Sequence, residues 1–267
     1  MDLQLSGKRA LVTGSSSGIG RAIAIALAAE GVAVLVHGRD AERAKATADA
    51  IVGAGGVASV VVADLTQETE VLLVVAAVSA FGGVDILVNN AAGTGRDEGW
   101  LAGGADQWLD LYNTNVATVV RLIGALTPAM RTARWGRVIQ ISSAAHPYPL
   151  PQRAAYSATK AALANLTVSL SKDLAGTGVT ANTISPGPTE TDGFRDLALS
   201  FARHHGMADD VEAAGRALIA GPLANPSDRL VRPHEIAALT ALIASPLSAS
   251  VNGANLRIDG GFTPTVN

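Results

Sequence analysis

Short apolar segments rich in valine, isoleucine and leucine alternate along the chain with longer segments whose apolar residues recur at helical spacing. The short segments predict seven strands, at residues 8–14, 32–38, 57–63, 84–90, 136–143, 179–185 and 254–261. The longer segments predict helices at residues 18–31, 40–56, 66–83, 106–131, 153–175 and 233–245, the third of them with Thr66 as its N-cap.

Strands of nearly continuous apolar character, separated by helices, are typical of a parallel sheet covered on both faces. We therefore predict an α/β fold: a single doubly wound, Rossmann-like domain over residues 1–267, with a seven-stranded parallel sheet and helices on both faces. Residues 193–232 interrupt the alternation with two weak helical patterns and several glycines and prolines. An insertion of this length is usually a lid or substrate loop. The alternative interpretation is a surface excursion without a function.

Composition narrows the function classes. The formal net charge is -3, which gives no reason to expect a nucleic-acid partner. The chain has no cysteine, and its five histidines lack the spacing of a helical zinc site, so no metal centre is predicted. The N-terminal segment MDLQLSGK does not have the layout of a secretory signal. The longest uncharged stretch, residues 236–256, is broken by proline and asparagine. We expect a cytoplasmic protein that does not enter membranes.

The segment LVTGSSSGIGRA, residues 11–22, has two interpretations. Its glycines and central serine match the G-x-S-x-G elbow in which a hydrolase presents a nucleophilic serine. However, only thirteen residues precede Gly14, too few for the strand and loop that complete a hydrolase oxyanion hole. The hydrolase interpretation is therefore disfavoured.

The alternative is a phosphate-binding turn between the first strand and the first helix, whose N-terminus attracts anions. Gly14 would permit the tight turn, Gly18 would admit a pyrophosphate, and Gly20 would let the helix pack on the strand. The predicted contacts from this turn are Gly14, Ser16, Ser17, Gly18, Ile19 and Gly20.

A second motif lies in ISSAAHPYPLPQRAAYSATKAAL, residues 141–163. Tyr156 and Lys160 are four residues apart at the start of a predicted helix, hence on one face, and Ser143 ends the preceding strand. A tyrosine whose pKa is about 10 is a poor proton relay at neutral pH unless a positive charge lies nearby. Lys160 is placed to supply that charge.

With these motifs the sequence resembles the classical type of the short-chain dehydrogenase/reductase family. The matching pieces are TGSSSGIG at 13–20, Asp64-Leu65, NNAA at 89–92, Asn115, Ser143, Tyr156-x-x-x-Lys160 and SPGPTET at 185–191. The resemblance implies that Tyr156 transfers a proton to or from the substrate oxygen and that Ser143 hydrogen-bonds that oxygen. It also implies that Lys160 lowers the Tyr156 pKa and holds the nicotinamide ribose, and that Asn115 anchors a water of the proton relay. Asn113 is out of register with the pattern.

The resemblance carries over the remaining cofactor contacts. Asp64, with Leu65 beside it, would contact adenine, and the stretch from Pro186 to Thr191 would surround the carboxamide. Ala92 departs from the usual glycine of NNAG. The full set beyond the turn is Arg39, Asp64, Leu65, Asn90, Ala91, Ala92, Tyr156, Lys160, Pro186, Gly187, Thr189 and Thr191.

The end of the second strand predicts the preferred coenzyme. Gly38 stands where relatives that prefer NAD have an acidic residue, and Arg39 follows it, as suits a 2′-phosphate. Ser17 is a departure, since many NADP-preferring relatives have a basic residue there. We predict that NADP(H) is favoured over NAD(H).

The sequence thus predicts an NADP(H)-dependent oxidoreductase that acts on a small-molecule carbonyl or alcohol. A nicotinamide-nucleotide-binding sensor or scaffold without catalysis is the alternative. Within enzymes, the resemblance includes reductases of carrier-linked 3-oxoacyl groups, for which the arginines from Arg121 to Arg137 could form a docking patch. The alternative interpretation of these arginines is a solvated helix end. His146, Tyr148, Pro149 and Leu150 are expected to line the substrate pocket; the alternative is that these loop residues face solvent. Family members are commonly tetramers built on the helices that here contain Asn115 and Tyr156.

Overall fold

The computed structural model describes residues 1–95, 100 and 104–266, and it contains one seven-stranded sheet. The strands are β1 (Arg9–Val12), β2 (Ala33–Gly38), β3 (Ala58–Val62), β4 (Ile86–Asn89), β5 (Gly136–Ile141), β6 (Val179–Pro186) and β7 (Asn255–Ile258). All six neighbouring pairs are parallel, and the order is β3-β2-β1-β4-β5-β6-β7. The predicted parallel sheet is confirmed.

Helices cover both faces of this sheet. They are α1 (Gly18–Ala29), α2 (Ala41–Gly53), α3 (Glu68–Ala80), α4 (Ala105–Tyr112), α5 (Thr118–Ala133), α6 (Ala154–Asp173), α7 (Asp192–His204), α8 (Val211–Ala220) and α9 (Pro233–Ala244). One core cluster joins the sheet to α1 and α9, with Ile23 and Ile236 fully buried. The other joins it to α3 and α5, with Val74 and Leu122 buried. The doubly wound class predicted from the apolar pattern is therefore confirmed.

The strand order reverses next to β1. The chain passes from β1 to β2 on one side, whereas β4 and the later strands lie on the other. The loops that follow β1 and β4 therefore diverge, and an open α/β sheet binds its ligands in the crevice between such loops.

Two predicted helix limits were wrong. The helix expected at 106–131 is interrupted by a π-helical turn at Asn113–Ala117, because the Asn115 side chain turns inward to bond the loop after β4. Thr66 does not cap α3, which starts at Glu68 after Gln67. The Thr66 hydroxyl instead donates to the Asp64 carboxylate at 2.8 Å.

The segment between β6 and β7 contains the two helices that the pattern predicted, α7 and α8. They enclose a small cluster of their own, made of Ala198, Ala202, Ala214 and Leu218. The two ends of the segment meet in a parallel bridge between Thr189 and Val231, where Glu190 N donates to Val231 O at 2.9 Å. Among the described residues, no helix is both long and apolar enough to cross a membrane.

Candidate active site

The turn after β1 is shaped by its glycines. Gly14 has a φ of 63°, and a Cβ on it would lie 2.9 Å from Ala91 Cα in the loop after β4. A Cβ on Gly20 would overlap the Gly14 carbonyl oxygen. Gly14 therefore serves the tight turn, and Gly20 serves the packing of α1, as predicted.

A cleft of about 840 Å³ opens between this turn and the loops after β2, β3 and β4. Most of the predicted cofactor residues line it: Gly14, Ser16, Ser17, Gly18, Ile19, Arg39, Asp64, Leu65, Asn90, Ala91, Ala92 and Thr191. The other predicted cofactor residues do not line it: Gly20, Tyr156, Lys160, Pro186, Gly187 and Thr189. The structure thus brings together the turn, the Arg39 strand end and the Asp64 loop, which the sequence alone could not place side by side.

The wall of the cleft suits a dinucleotide. The N-terminus of α1 faces it, and the Ser17 side chain at the N-cap makes no capping hydrogen bond, so it does not occupy the helix N–H groups that attract phosphate. At the other end, hydrogen bonds from the Thr66 backbone and side chain, helped by Arg39, hold the Asp64 pKa below its usual value. Asp64 is therefore an ionised acceptor at neutral pH.

His37 is a residue of the cleft wall that the sequence analysis missed. It lies at the end of β2, is 3% exposed, and accepts a hydrogen bond at Nδ1 from Gly14 N at 3.1 Å. Its Nε2 lies 3.2 Å from Ala63 O. Both ring nitrogens are therefore engaged with backbone groups, so His37 is not available as a base for a serine of the turn. This arrangement argues further against the hydrolase interpretation.

Burial of His37 predicts acid sensitivity. Desolvation lowers its pKa from 6.5 to about 4, so below pH 6.5 the unfolded chain takes up a proton that the folded chain refuses. Stability should then fall as pH drops from 6.5 to about 4, by roughly 3 kcal/mol at 1.36 kcal/mol per pKa unit, and this contribution levels off below that range. Urea unfolding at a series of pH values measures the slope of the unfolding free energy against pH. His37→Leu should flatten it, and the exposed-site control His204→Gln should not; equal slopes in both variants would contradict the assignment.

The predicted catalytic residues meet at the carboxyl end of β5. The Ser143 hydroxyl follows that strand, hydrogen-bonds the Tyr156 side chain and accepts from Ala145 N at 3.1 Å. Tyr156 and Lys160 both come from the first turns of α6, and Lys160 Nζ lies 5.6 Å from the centroid of the Tyr156 ring. A paired serine and tyrosine hydroxyl can bind and protonate one oxygen atom.

The charges around Tyr156 differ from the expectation. Burial raises the Tyr156 pKa, and the Ser143 hydrogen bond and the Arg153 charge lower it less than burial raises it. Lys160 does not contribute to lowering it here. The Lys160 ammonium donates to Ile141 O at 2.9 Å, and burial lowers its own pKa to about 8. Tyr156 is consequently a protonated hydroxyl at neutral pH, ready to donate.

Asn115 joins two parts of the site. Its Oδ1 accepts from Gly93 N at 2.8 Å, while Nδ2 donates to Gly93 O and to Thr159 Oγ1, both at 3.0 Å. It therefore ties the loop after β4 to α6 beside Tyr156. Its role as a water anchor stays a prediction.

The loop after Ser143 packs against the C-terminal segment, which the sequence analysis did not assign to the site. The Tyr148 and Phe262 rings meet edge to face, with centroids 5.7 Å apart. Burial lowers the pKa of His146, whose side chain hydrogen-bonds Asn255. The expected pocket residues thus have partners on and after β7.

An exposed ion pair lies beside the cleft. Arg43 Nη2 of α2 lies 2.8 Å from Asp192 Oδ2 at the start of α7, and both side chains are exposed. Asp192 itself lines the cleft. We name this pair the Arg43–Asp192 bridge.

The structure does not bring the arginines from Arg121 to Arg137 into one patch. Arg121 is near the start of α5, where it bonds Asn113 Oδ1, and Arg131 is about 15 Å further along at the helical rise per residue. Arg131 pairs with Asp173, and Arg137 is 2% exposed and bonded to backbone carbonyls. The predicted docking patch was therefore wrong as a single surface, because Arg121 and Arg131 lie at opposite ends of α5 and Arg137 is buried.

Comparisons with known proteins agree with this geometry. The family model of the short chain dehydrogenase matches residues 8–199. The chain is 37% identical over 278 residues to the uncharacterized oxidoreductase YvaG of Bacillus subtilis, covering 100% of both. It is 35% identical over 261 residues to the 3-oxoacyl-[acyl-carrier-protein] reductase FabG of Vibrio cholerae, covering 97% of this chain and 99% of FabG. The L-sorbose reductase of Gluconobacter frateurii, solved with NADPH and L-sorbose, superposes with a TM-score of 0.93 at 31% identity over 100% of both chains. The chain therefore belongs to the short chain dehydrogenase family of oxidoreductases.

Proposed function

We propose that the protein is an NADP(H)-dependent reductase of a small-molecule carbonyl, with Tyr156 as the general acid. The observation that carries this proposal is the hydrogen-bonded pair of Ser143 and Tyr156 side chains, both half-buried, at the end of β5. A sensor or scaffold would need the cleft but would not need two hydroxyls aimed at a common oxygen.

The four site residues have different roles in the proposed reaction. The nicotinamide, when bound, supplies the hydride. Ser143 donates a hydrogen bond to the carbonyl oxygen, which stabilises the charge that develops there. Tyr156 gives its proton to that oxygen, and its raised pKa keeps the proton in place until the charge appears. Lys160 would hold the nicotinamide ribose, and Asn115 holds the surrounding loop and helix in register.

Two features at the end of β2 support NADP(H). A Cβ on Gly38 would lie 2.8 Å from Ser16 Oγ, so an acidic side chain, which would repel a 2′-phosphate, has no room there. Arg39 lines the cleft, where its guanidinium can pair with that phosphate. The neighbour with NADPH bound is consistent with this preference.

The proposal extends to the substrate loop, the oligomeric state, the location and a second candidate substrate. Residues 193–232 would close over the substrate as a loop of a single domain. We place the enzyme in the cytoplasm. Exposed apolar side chains on α4, α5 and α6 support a homotetramer; they are Leu109, Val120 and Val168. A carrier-linked 3-oxoacyl group is the second candidate substrate, supported by the similarity to FabG.

A substrate screen tests the proposal. The purified protein is mixed with NADPH or NADH and with a ketose, a 3-oxoacyl thioester or simple ketones, and coenzyme absorbance is followed. We expect NADPH to be oxidised with at least one carbonyl, faster than NADH is. Tight NADPH binding without turnover of any carbonyl would favour the sensor instead.

A further inference from the structure

His37 connects three strand ends through hydrogen bonds of its ring and its backbone. Its ring accepts from Gly14 N at 3.1 Å after β1 and reaches Ala63 O at 3.2 Å after β3. Its own backbone carbonyl accepts from Ser15 N at 2.8 Å, and its backbone N donates to Ser15 Oγ at 3.0 Å. The turn, the end of β2 and the end of β3 are thus held together at this one residue.

The partners define the form of the ring. Gly14 N–H can only donate, so Nδ1 carries no proton, and Ala63 O can only accept, so Nε2 carries one. The neutral Nε2–H form alone satisfies both. Burial favours that neutral form, and the nearby charges of Arg39 and Asp64 act in opposite directions on it.

We propose that His37 is a positioning residue that sets the affinity for the dinucleotide by holding the Gly14 turn and the Ala63–Asp64 loop at their spacing. This inference rests on the proposed function, because it takes the cleft as the coenzyme site. The turn would hold the pyrophosphate and Asp64 the adenine, yet the two loops follow strands that are not adjacent. The His37 side chain bonds to both loops, and Arg39 lies two residues beyond it on the same cleft wall.

Loss of the His37 imidazole should weaken coenzyme binding and leave the rate of the chemical step unchanged. Without the imidazole, the Gly14 N–H loses its acceptor, and the turn shifts to find another. Coenzyme binding must then restore the turn, so the cost appears in the dissociation constant. Ser143 and Tyr156 belong to the end of β5 and to α6, so turnover at saturating coenzyme should be preserved.

Three substitutions separate the two halves of the ring. His37→Leu removes both bonds, His37→Asn places an amide oxygen near the Nδ1 position, and His37→Gln places an amide nitrogen near Nε2. We expect His37→Leu to raise the Kd for NADPH at least roughly tenfold, within the cost of unpairing a buried N–H. His37→Asn should recover most of the affinity and His37→Gln less, because the Gly14 bond lies in the turn. If His37→Leu fails to fold, the Asn and Gln variants carry the same comparison.

Controls distinguish positioning from general loss of structure. Val78→Ala removes methyl groups from the same sheet's core on α3, away from the cleft, and should lower stability without changing the Kd. An unchanged Kd in His37→Leu, or a fall in saturated turnover as large as the rise in Kd, would overturn the inference. Nitrogen-15 NMR of the wild-type imidazole should show Nε2–H and a bare Nδ1 from pH 8 to pH 5.5, and the other tautomer would also overturn it. If the wild type binds neither coenzyme, the proposed function itself fails. If the wild type binds coenzyme and turns over, but substitution of His37 leaves the Kd unchanged, only this inference fails.

Discussion

Replacing Tyr156 by Phe is expected to lower the turnover number at least ~100-fold, within the usual contribution of a general acid, and to leave the Kd for NADPH unchanged. The change removes one hydroxyl and keeps the half-buried ring that packs beside Lys160. Without that hydroxyl, the alkoxide that forms on hydride transfer has no proton donor, whereas the coenzyme contacts of the cleft wall are untouched. Stopped-flow or steady-state rates at saturating NADPH, with fluorescence titration of coenzyme, measure both quantities.

Tyr112 offers the matched control for this experiment. It lies at the end of α4, is 41% exposed, and can lose its hydroxyl in the same way through Tyr112→Phe. The control should keep the wild-type turnover number. Near-normal turnover in Tyr156→Phe would refute the acid role, and an equal loss in both variants would show that the effect is not specific to the site.

Replacing Arg39 by Ala is expected to raise the KM for NADPH about 10- to 100-fold while the KM for NADH changes little. A charge-assisted hydrogen bond contributes about 1.5–3 kcal/mol, and each 1.4 kcal/mol is a factor of ten. NADH has no 2′-phosphate for the guanidinium to bind, so its affinity does not depend on that charge. Initial rates with each coenzyme, at one saturating carbonyl concentration, give the two constants.

Arg43 is the control for the loss of a positive charge near the cleft. It is four residues further along the chain and is paired with Asp192 at 2.8 Å. Arg43→Ala should therefore affect the two coenzymes alike. If Arg39→Ala raises both constants equally, Arg39 does not select the 2′-phosphate, and the preference for NADP(H) must lie elsewhere.

The apolar pattern predicted the strands and the doubly wound class because the five inner strands are buried on both faces and read as apolar runs. The edge strands β3 and β7 are less buried. Motifs that lie within one loop or one helix turn, such as Gly14 to Gly20 or Tyr156 and Lys160, could be found in the same way. His37 could not, because its importance depends on which backbone groups the neighbouring strands bring beneath it. A histidine that ends an apolar strand is, in the sequence, an ordinary polar residue.

Departures from the predicted helix limits have a similar origin. Local propensity gave one helix through Asn115, but the tertiary bonds of that side chain to Gly93 and Thr159 accompany a π-helical turn. Arg121 to Arg137 looked like one basic stretch because the sequence does not show where a helix ends or which arginine is buried. The effect of the Lys160 charge on the Tyr156 pKa was likewise predicted from the spacing of the two residues. That spacing does not show that the ammonium donates to Ile141 O.

The Arg43–Asp192 bridge also bears on how firmly α2 and α7 are held together. It joins α2 to the start of α7 by an exposed ion pair, and such pairs contribute only about 0.2–1 kcal/mol. On its own, this contribution changes an equilibrium constant by no more than about a factor of five, since a tenfold change takes 1.4 kcal/mol. Any motion that separates the two helices would therefore meet little resistance from this pair, and less still as salt screens it.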